Sequence, residues 1–234
     1  MTEREPKSEY RGNEAPHSRV VGEINPERLI PTKSRRLIAC GKQNNMRVIA
    51  GTARSLPLKA PQGLDVRPTT DKIKETLFNM LHWDLPGSVF VDLFSGSGAI
   101  GIEALSRGAA KAYFADNSPK AISCIQQNLA FTKMEDRAVV LKQDACSALD
   151  SIRLRSREES ADFIFMDPPY DCGQERDVLA VLGIMPYVTE DTVIIAEASL
   201  RTDFGYVEEL GFTITKEKRY KTNKHIFMKK RILL

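Results

Sequence analysis

The sequence predicts an α/β fold built on a mostly parallel sheet. Three features predict it: short runs of β-branched and aromatic residues, amphipathic segments of helical period between them, and a glycine-rich turn where the first run meets the first such segment. The expected strands are Val89 to Leu93, Ala112 to Ala115, Ala138 to Leu141, Asp162 to Met166 and Thr192 to Ala196. Helices are expected to start near Ala99, Pro119, Ala145 and Glu175. Strand and helix alternating this regularly place helices on both faces of a parallel sheet. Beyond it the pattern predicts a helix around Phe204 to Leu210 and a hairpin from Phe212 to Thr215 and His225 to Met228.

Ahead of the sheet the chain changes character twice. Residues 1 to 45 are rich in Arg, Glu, Pro, Ser and Asn, and their few apolar side chains bury too little surface to offset chain entropy. They read as a flexible tail. From Met46 two short apolar runs flank Gly51-Thr52-Ala53-Arg54, which predicts a small hairpin. Arg67-Pro68-Thr69-Thr70-Asp71 then forms a loop ending in helix-capping residue types, followed by Ile73, Thr76, Leu77, Met80 and Leu81 at helical spacing. The expected organisation is a tail (1–45), a hairpin-and-helix appendage (46–85) and a main domain (86–234).

With 234 residues, 42% of them hydrophobic, the chain can bury a sizeable core, and disorder as its main state is excluded. No stretch approaches the roughly 18 apolar residues of a membrane span, and the polar start lacks the apolar centre of a signal peptide. A cytoplasmic, membrane-free protein is expected, and a monomer. Cys40, Cys124, Cys146 and Cys172 lie far apart with no C-x-x-C pair, so no metal site is expected. Charge is uneven: residues 216–231 carry +7, the rest of the chain −4. A concentrated basic end on a mildly acidic body suits a phosphate-binding surface, and Lys218, Arg219, Lys221 and Lys224 are its candidate contacts. Lysines that keep an edge strand from aggregating would look the same.

The first strand opens into Phe94-Ser95-Gly96-Ser97-Gly98-Ala99-Ile100-Gly101, where glycines allow a tight turn and close approach of a ligand. This G-x-G-x-x-G run fits a dinucleotide as well as S-adenosyl-L-methionine. Asp92, just before the turn, tips the balance: a pyrophosphate would meet a negative charge there, whereas the ammonium of S-adenosylmethionine would meet a counter-charge. Asp116, with Asn117 after it, ends the second strand where a carboxylate accepts hydrogen bonds from ribose hydroxyls. Asp144, with Ala145, follows the third strand, placed to accept from an adenine amino group or to cap the next helix. Phe94, Gly96 and Gly98 complete the candidate cofactor contacts.

The fourth strand ends in Asp167-Pro168-Pro169-Tyr170. The proline pair fixes the backbone and removes two amide donors, leaving the Asp167 carboxylate and the Pro168 carbonyl as acceptors. Two acceptors can hold both hydrogens of an exocyclic base amine and direct its lone pair at a methyl donor, and Tyr170 offers a ring for the base to stack on. Its hydroxyl has no evident role in this reading.

With these residues in view, the chain resembles the RsmD family of bacterial 16S ribosomal RNA guanine-N2 methyltransferases over roughly residues 46 to 230. The resemblance lies in Met46-Arg47-Val48-Ile49-Ala50-Gly51, the run from Arg67 through Asn79, Asp92 to Gly98 with Gly101, Glu103, Ala104, Leu105 and Ser106, and Asp167 to Tyr170. The Arg67-Pro68-Thr69-Thr70 segment is the specific part, since the other two loops occur in many amino-group methyltransferases. The resemblance implies a Rossmann-like class I methyltransferase with a seven-stranded sheet and S-adenosyl-L-methionine as cofactor. It also implies a guanine of 16S ribosomal RNA, within a small-subunit particle, as acceptor, Arg47 as a candidate RNA contact, and Arg67 and Thr70, bordering the active site, as candidate RNA or cofactor contacts. The chain departs from the family at Asp116, where Glu is usual, and at Arg54-Ser55-Leu56-Pro57-Leu58, where a Gly-Arg or Gly-Lys pair followed by Lys-Leu is common. Adenine-N6 remains open as an acceptor, because Asp-Pro-Pro-Tyr suits that amine too, and the glycine run by itself leaves a nucleotide-dependent oxidoreductase open.

Overall fold

Val89–Leu93 (β1) is flanked by Lys111–Asp116 (β2) on one side and Phe163–Met166 (β4) on the other, both parallel to it. The computed structural model describes residues 46–61, 70–155 and 160–231. Ala138–Lys142 (β3) extends the sheet beyond β2, and Val193–Ser199 (β5), Asn223–Lys230 (β7) and Phe212–Arg219 (β6) extend it beyond β4, in the order β3-β2-β1-β4-β5-β7-β6. β7 runs antiparallel to both its neighbours. The connections leave β1 and β4 in opposite directions, so a crevice opens at the carboxyl ends of these two strands.

The strands of the middle of the sheet are buried on both faces, which is why they read as near-continuous apolar runs. Successive side chains alternate between two cores. Val91, Leu93, Ile164, Met166 and Ile194 meet Ala145–Arg155 (α4) and Gln174–Ile184 (α5) through Leu149 and Leu179. Phe90, Phe163, Phe165 and Ile195 meet Asp71–Met80 (α1), Ala99–Ser106 (α2) and Pro119–Thr132 (α3) through Phe78, Ile102 and Ile125. Helix starts follow local chemistry: Thr70 caps α1 by accepting from the Ile73 amide at 3.4 Å, and Ser118 caps α3 with Pro119 in its first turn.

The predicted amino-terminal hairpin is present as one antiparallel bridge, Arg47 to Pro57, with backbone bonds from Val48 to Leu56 (3.0 Å) and Leu58 to Met46 (2.8 Å). It is tied to α2 by Glu103, which accepts from the Ile49 and Ala50 amides at 2.7 and 3.0 Å and from Arg107 Nε at 2.7 Å. Approach here is close enough that a Cβ on Gly51 would stand 1.8 Å from the Ser106 carbonyl oxygen. Gly101 has the same role between α2 and the sheet, since a Cβ there would stand 2.3 Å from the Phe114 ring.

Three expectations need correction. Phe204 to Leu210 is a series of turns, with bonds from Val207 to the Phe204 carbonyl and from Leu210 to the Val207 carbonyl, not a helix. The segment is too short for a helix to recover its nucleation cost, and Gly211 ends it at φ +82°. β6 and β7 are longer than expected, because pairing continues through Arg219 and Lys224 to the turn. α5 begins one residue early, at Gln174. The tail expected over residues 1–45 and the loop holding Arg67 lie outside the described residues.

Candidate active site

A cleft of about 680 Å³ opens at the carboxyl ends of β1 to β5, within the range of small-molecule sites. Its walls include Phe94 and Gly96 after β1, Asp116 and Asn117 at β2, Asp144 and Ala145 after β3, and Asp167 to Tyr170 after β4. Thr70 closes it from the amino end of α1. These are the residues expected there, brought together by the strand order. Phe94 holds φ +63°, a left-handed conformation that a non-glycine residue adopts at a cost, and it turns the chain from β1 into the loop.

The acids divide by environment. Asp116 accepts from the Gly96 amide at 2.9 Å and the Ser118 amide at 2.8 Å, which fixes the carboxylate between the glycine loop and α3 while lone pairs remain for a ligand. Asp144 accepts from Ser147 through both oxygens, at 3.0 and 2.7 Å, so it caps α4, and these bonds hold its carboxyl below the usual range. Beside it Gln143 offers a buried side-chain oxygen with no protein partner on the cleft wall. Asp92, beneath the loop, and Gly98, buried at the start of α2, are not on the cleft wall. Asp92 is 1% exposed and accepts from the Gly101 amide at 3.0 Å, and burial, with Asp116 nearby, pushes its carboxyl up to about 7.

That shift has a sign that can be tested. A carboxyl whose folded value is raised from 3.8 to about 7 costs nothing below pH 4, then destabilises the fold progressively until pH passes about 7. The full penalty is on the order of 4 kcal/mol. Asp92→Asn, which keeps an acceptor for Gly101, is expected to raise the melting temperature of the ligand-free protein at pH 8, with the gain shrinking towards pH 4. Equal melting of variant and wild type at pH 8 would refute this.

The loop after β4 contains more than the sequence suggested. Asp167 is half-buried, and its carboxyl stands well above the carboxylate range because of burial and the neighbouring charges of Glu197, Asp92 and Glu175. The Tyr170 hydroxyl, without a role in the sequence reading, donates to Glu197 Oε1 at 3.2 Å, while 39% of the residue stays exposed. Glu197 on β5 also receives Asn223 Nδ2 and, at 3.0 Å, His225 Nε2, both from β7. Glu197 and Asn223 line the cleft and escaped sequence reading. The available signal was an acid inside the apolar strand Val193–Ser199, where an unpaired charge is costly.

Of the basic residues, Lys218, Arg219 and Lys221 are exposed on the edge strand β6 and the turn after it. Lys224 is not with them. It is 6% exposed, with its ammonium 5.5 Å from the Phe204 ring centroid, because its side chain points to the covered face of β7. Arg47 is exposed and pairs with Asp71 at 2.9 Å, next to Thr70.

Residues 46–229 match the family model described as Conserved hypothetical protein 95. Ribosomal RNA small subunit methyltransferase D of Haemophilus influenzae is 32% identical over 75% of this chain and 89% of its own length. The chain belongs to the RsmD family. A second relative, YlbH of Bacillus subtilis, provisionally named an rRNA methyltransferase, is 41% identical over 65% of this chain and 82% of its own length. Among solved structures, the Escherichia coli protein yhhF, provisionally described as a methyltransferase, is 28% identical with a TM-score of 0.66, over 79% of this chain and 97% of its own. The fold is accordingly the Rossmann-like class I S-adenosylmethionine-dependent methyltransferase fold, and the cleft lies where this chain's glycine loop and its Asp167 to Tyr170 loop converge.

Proposed function

We propose that this protein transfers a methyl group from S-adenosyl-L-methionine to the exocyclic N2 amine of a guanine in 16S ribosomal RNA, acting on a small-subunit particle. The observation that carries the reading is that Asp167, Pro168 and Tyr170 share one cleft with Gly96 and Asp116, so an amine-holding loop faces a nucleoside-holding wall. The names of the relatives support the RNA substrate.

The residues fit the cofactor. Asp116 has lone pairs to spare for ribose hydroxyls, and the unpartnered oxygen of Gln143 and the neighbouring Asp144 stand where an adenine amine needs an acceptor. The Asp92 carboxyl lies beneath the loop and off the cleft wall, so the negative charge it lends an ammonium group acts through the loop and only in its ionised form. When bound, S-adenosylmethionine supplies an electrophilic methyl group. The chain does the rest: Tyr170, hydroxyl anchored and ring exposed, carries the base, and the Asp167 carboxylate and Pro168 carbonyl accept its two amine hydrogens. Held so, the lone pair would be directed towards a bound methyl donor, and the Asp167 carboxylate would meet the positive charge developing on nitrogen and take up the proton that the amine sheds.

The deciding experiment is deletion of the gene followed by nucleoside mass spectrometry of small-subunit rRNA. Loss of one N2-methylguanosine, restored by wild type, is the expected result. Loss of N6-methyladenosine instead would move the acceptor to adenine. A thermal shift with S-adenosylhomocysteine and none with NAD is expected from the purified protein, and the reverse would return the glycine loop to a dinucleotide.

Lys218, Arg219 and Lys221 are proposed phosphate contacts. Replacing all three with Ala is expected to weaken RNA binding and flatten its dependence on salt by about one unit of slope per lost contact, with cofactor affinity unchanged. Lys224→Ala should leave the slope alone and lower the melting temperature. An unchanged slope in the triple variant would leave those residues to protect the sheet edge.

A further inference from the structure

We propose that Asn223 reads the ring N1–H of the target base, and that Glu197, by drawing the Tyr170, Asn223 and His225 donors onto itself, makes the site select guanine over adenine. The inference rests on the reading of the protein as a base-amine methyltransferase and adds which base the cleft is built for.

The register places the parts. β4 and β5 pair Met166 with Ala196, so the next residues, Asp167 and Glu197, are neighbours across adjacent strands, and β5 and β7 pair Glu197 with His225. Three side-chain donors near the Asp167 loop converge on Glu197. Oε1 receives the Tyr170 hydroxyl at 3.2 Å and Asn223 Nδ2, and Oε2 receives His225 Nε2 at 3.0 Å, the Nδ1 of the same ring standing 3.3 Å from the Tyr220 hydroxyl. Pro168 and Pro169 have no amide hydrogen to offer. On this side of the cleft stand three acceptors, the Asp167 carboxylate, the Pro168 carbonyl and Asn223 Oδ1, with Thr222 and Gln174 also on the lining.

The Asn223 amide has its orientation set by chemistry. An ionised carboxylate only accepts, so Nδ2 must face Glu197 and Oδ1 must face away from it. Asn223 is 4% exposed, it lines the cleft, and Oδ1 is buried with no partner. A buried oxygen left unpaired is destabilising, and the Asn terminal torsion is soft, so a ligand donor would be favoured once that torsion turns Oδ1 to the cleft. The Watson–Crick edge of guanine presents donors side by side, N1–H and the N2 amine. Adenine presents an amine beside an N1 lone pair. Against these acceptors the first edge is matched at every position, and the second sets a lone pair against a lone pair.

The test separates N1–H from the amine. Small subunits are reconstituted with rRNA ligated to carry, at the mapped target position, either guanine or 2-aminopurine, which keeps the N2 amine and lacks the N1 hydrogen. Wild type is expected to favour guanine by about 10- to 100-fold in kcat/KM, the factor set by one unsatisfied buried group. Asn223→Ala should lose most of that preference by falling on guanine while changing little on 2-aminopurine, with S-adenosylhomocysteine affinity retained. The ratio is taken within one protein preparation, so a partly unfolded variant does not distort it, and Asn223→Ser supplies the same ratio should the Ala variant be inactive on both. Equal treatment of the two bases by wild type, or a preference undiminished in the variants, would overturn the proposal with the guanine-N2 reading intact. Methyl transfer to neither base, with label found on adenine N6, would overturn the guanine-N2 reading and this inference with it.

Discussion

Asp167→Ala is expected to lower methyl transfer to RNA by about 10²- to 10³-fold, the size of effect seen when one preorganised electrostatic partner of a transition state is removed. The loss should fall on kcat. In the proposed reaction Asp167 acts on the amine as its charge develops, whereas the proposed stacking on Tyr170 and the proposed cofactor contacts at Gly96 and Asp116, on the same cleft, are untouched by the change. Binding of S-adenosylhomocysteine should stay the same or strengthen slightly, because one of several crowded acids is gone. The same crowding gives the wild type a pH signature. Burial and the charges of Glu197, Asp92 and Glu175 raise the Asp167 carboxyl well above its ordinary 3.8, and only the ionised form accepts both an amine hydrogen and positive charge. The kcat/KM should therefore fall on acidification through an apparent value well above the carboxylate range, and this limb should be missing in Asp167→Ala. Turnover retained in that variant would remove Asp167 from the reaction.

The second large effect concerns stability. Glu103 is fully buried at the joint of three segments, holding the Ile49 and Ala50 amides of the hairpin, Arg107 of its own helix, and Lys74 of α1 at 3.7 Å. Lys74 is itself 1% exposed, with its ammonium also donating to the Arg47 carbonyl at 2.5 Å. Its ammonium is lowered from the usual range by burial, against the pull of Glu103. Removing one partner of such a group strands the others, so Glu103→Ala is expected to cost about 3–5 kcal/mol. For a chain of this size that corresponds to a fall in melting temperature of roughly 10 °C. Adding Lys74→Met should recover part of the loss, since it takes away the uncompensated charge. Strictly additive losses in the double variant would mean that the two residues are not coupled.

Glu103 also shows where sequence reading stopped. It stood in the stretch Asp92 to Ser106 as a residue shared with the RsmD family, and nothing local said that its carboxylate closes the hairpin onto α2, because its partners come from Ile49, Ala50 and Lys74. The basic end went the same way. Lys218 and Lys224 have equal charge and similar neighbours in sequence, yet one is exposed on the edge strand and the other is folded over Phe204. Which face a side chain takes depends on strand register, and the sequence pattern stopped short of the pairing that continues to the turn.

By itself the sequence determined the alternation of strand and helix, the glycine turn after β1 and the acceptor loop after β4, because each is written in a few consecutive residues: β-branched runs, positions needing left-handed φ, a proline pair without amide hydrogens. Only the tertiary structure decided what completes the site. Glu197 reaches Tyr170 because β5 lies beside β4, Asn223 reaches Glu197 because β7 inserts between β5 and β6, and Asp92 sinks beneath the loop because Gly101 lets α2 close onto the sheet. Pairing between distant strands follows from the burial of whole faces and not from any local pattern, so the donors and acceptors of the wall become legible only once the sheet is assembled.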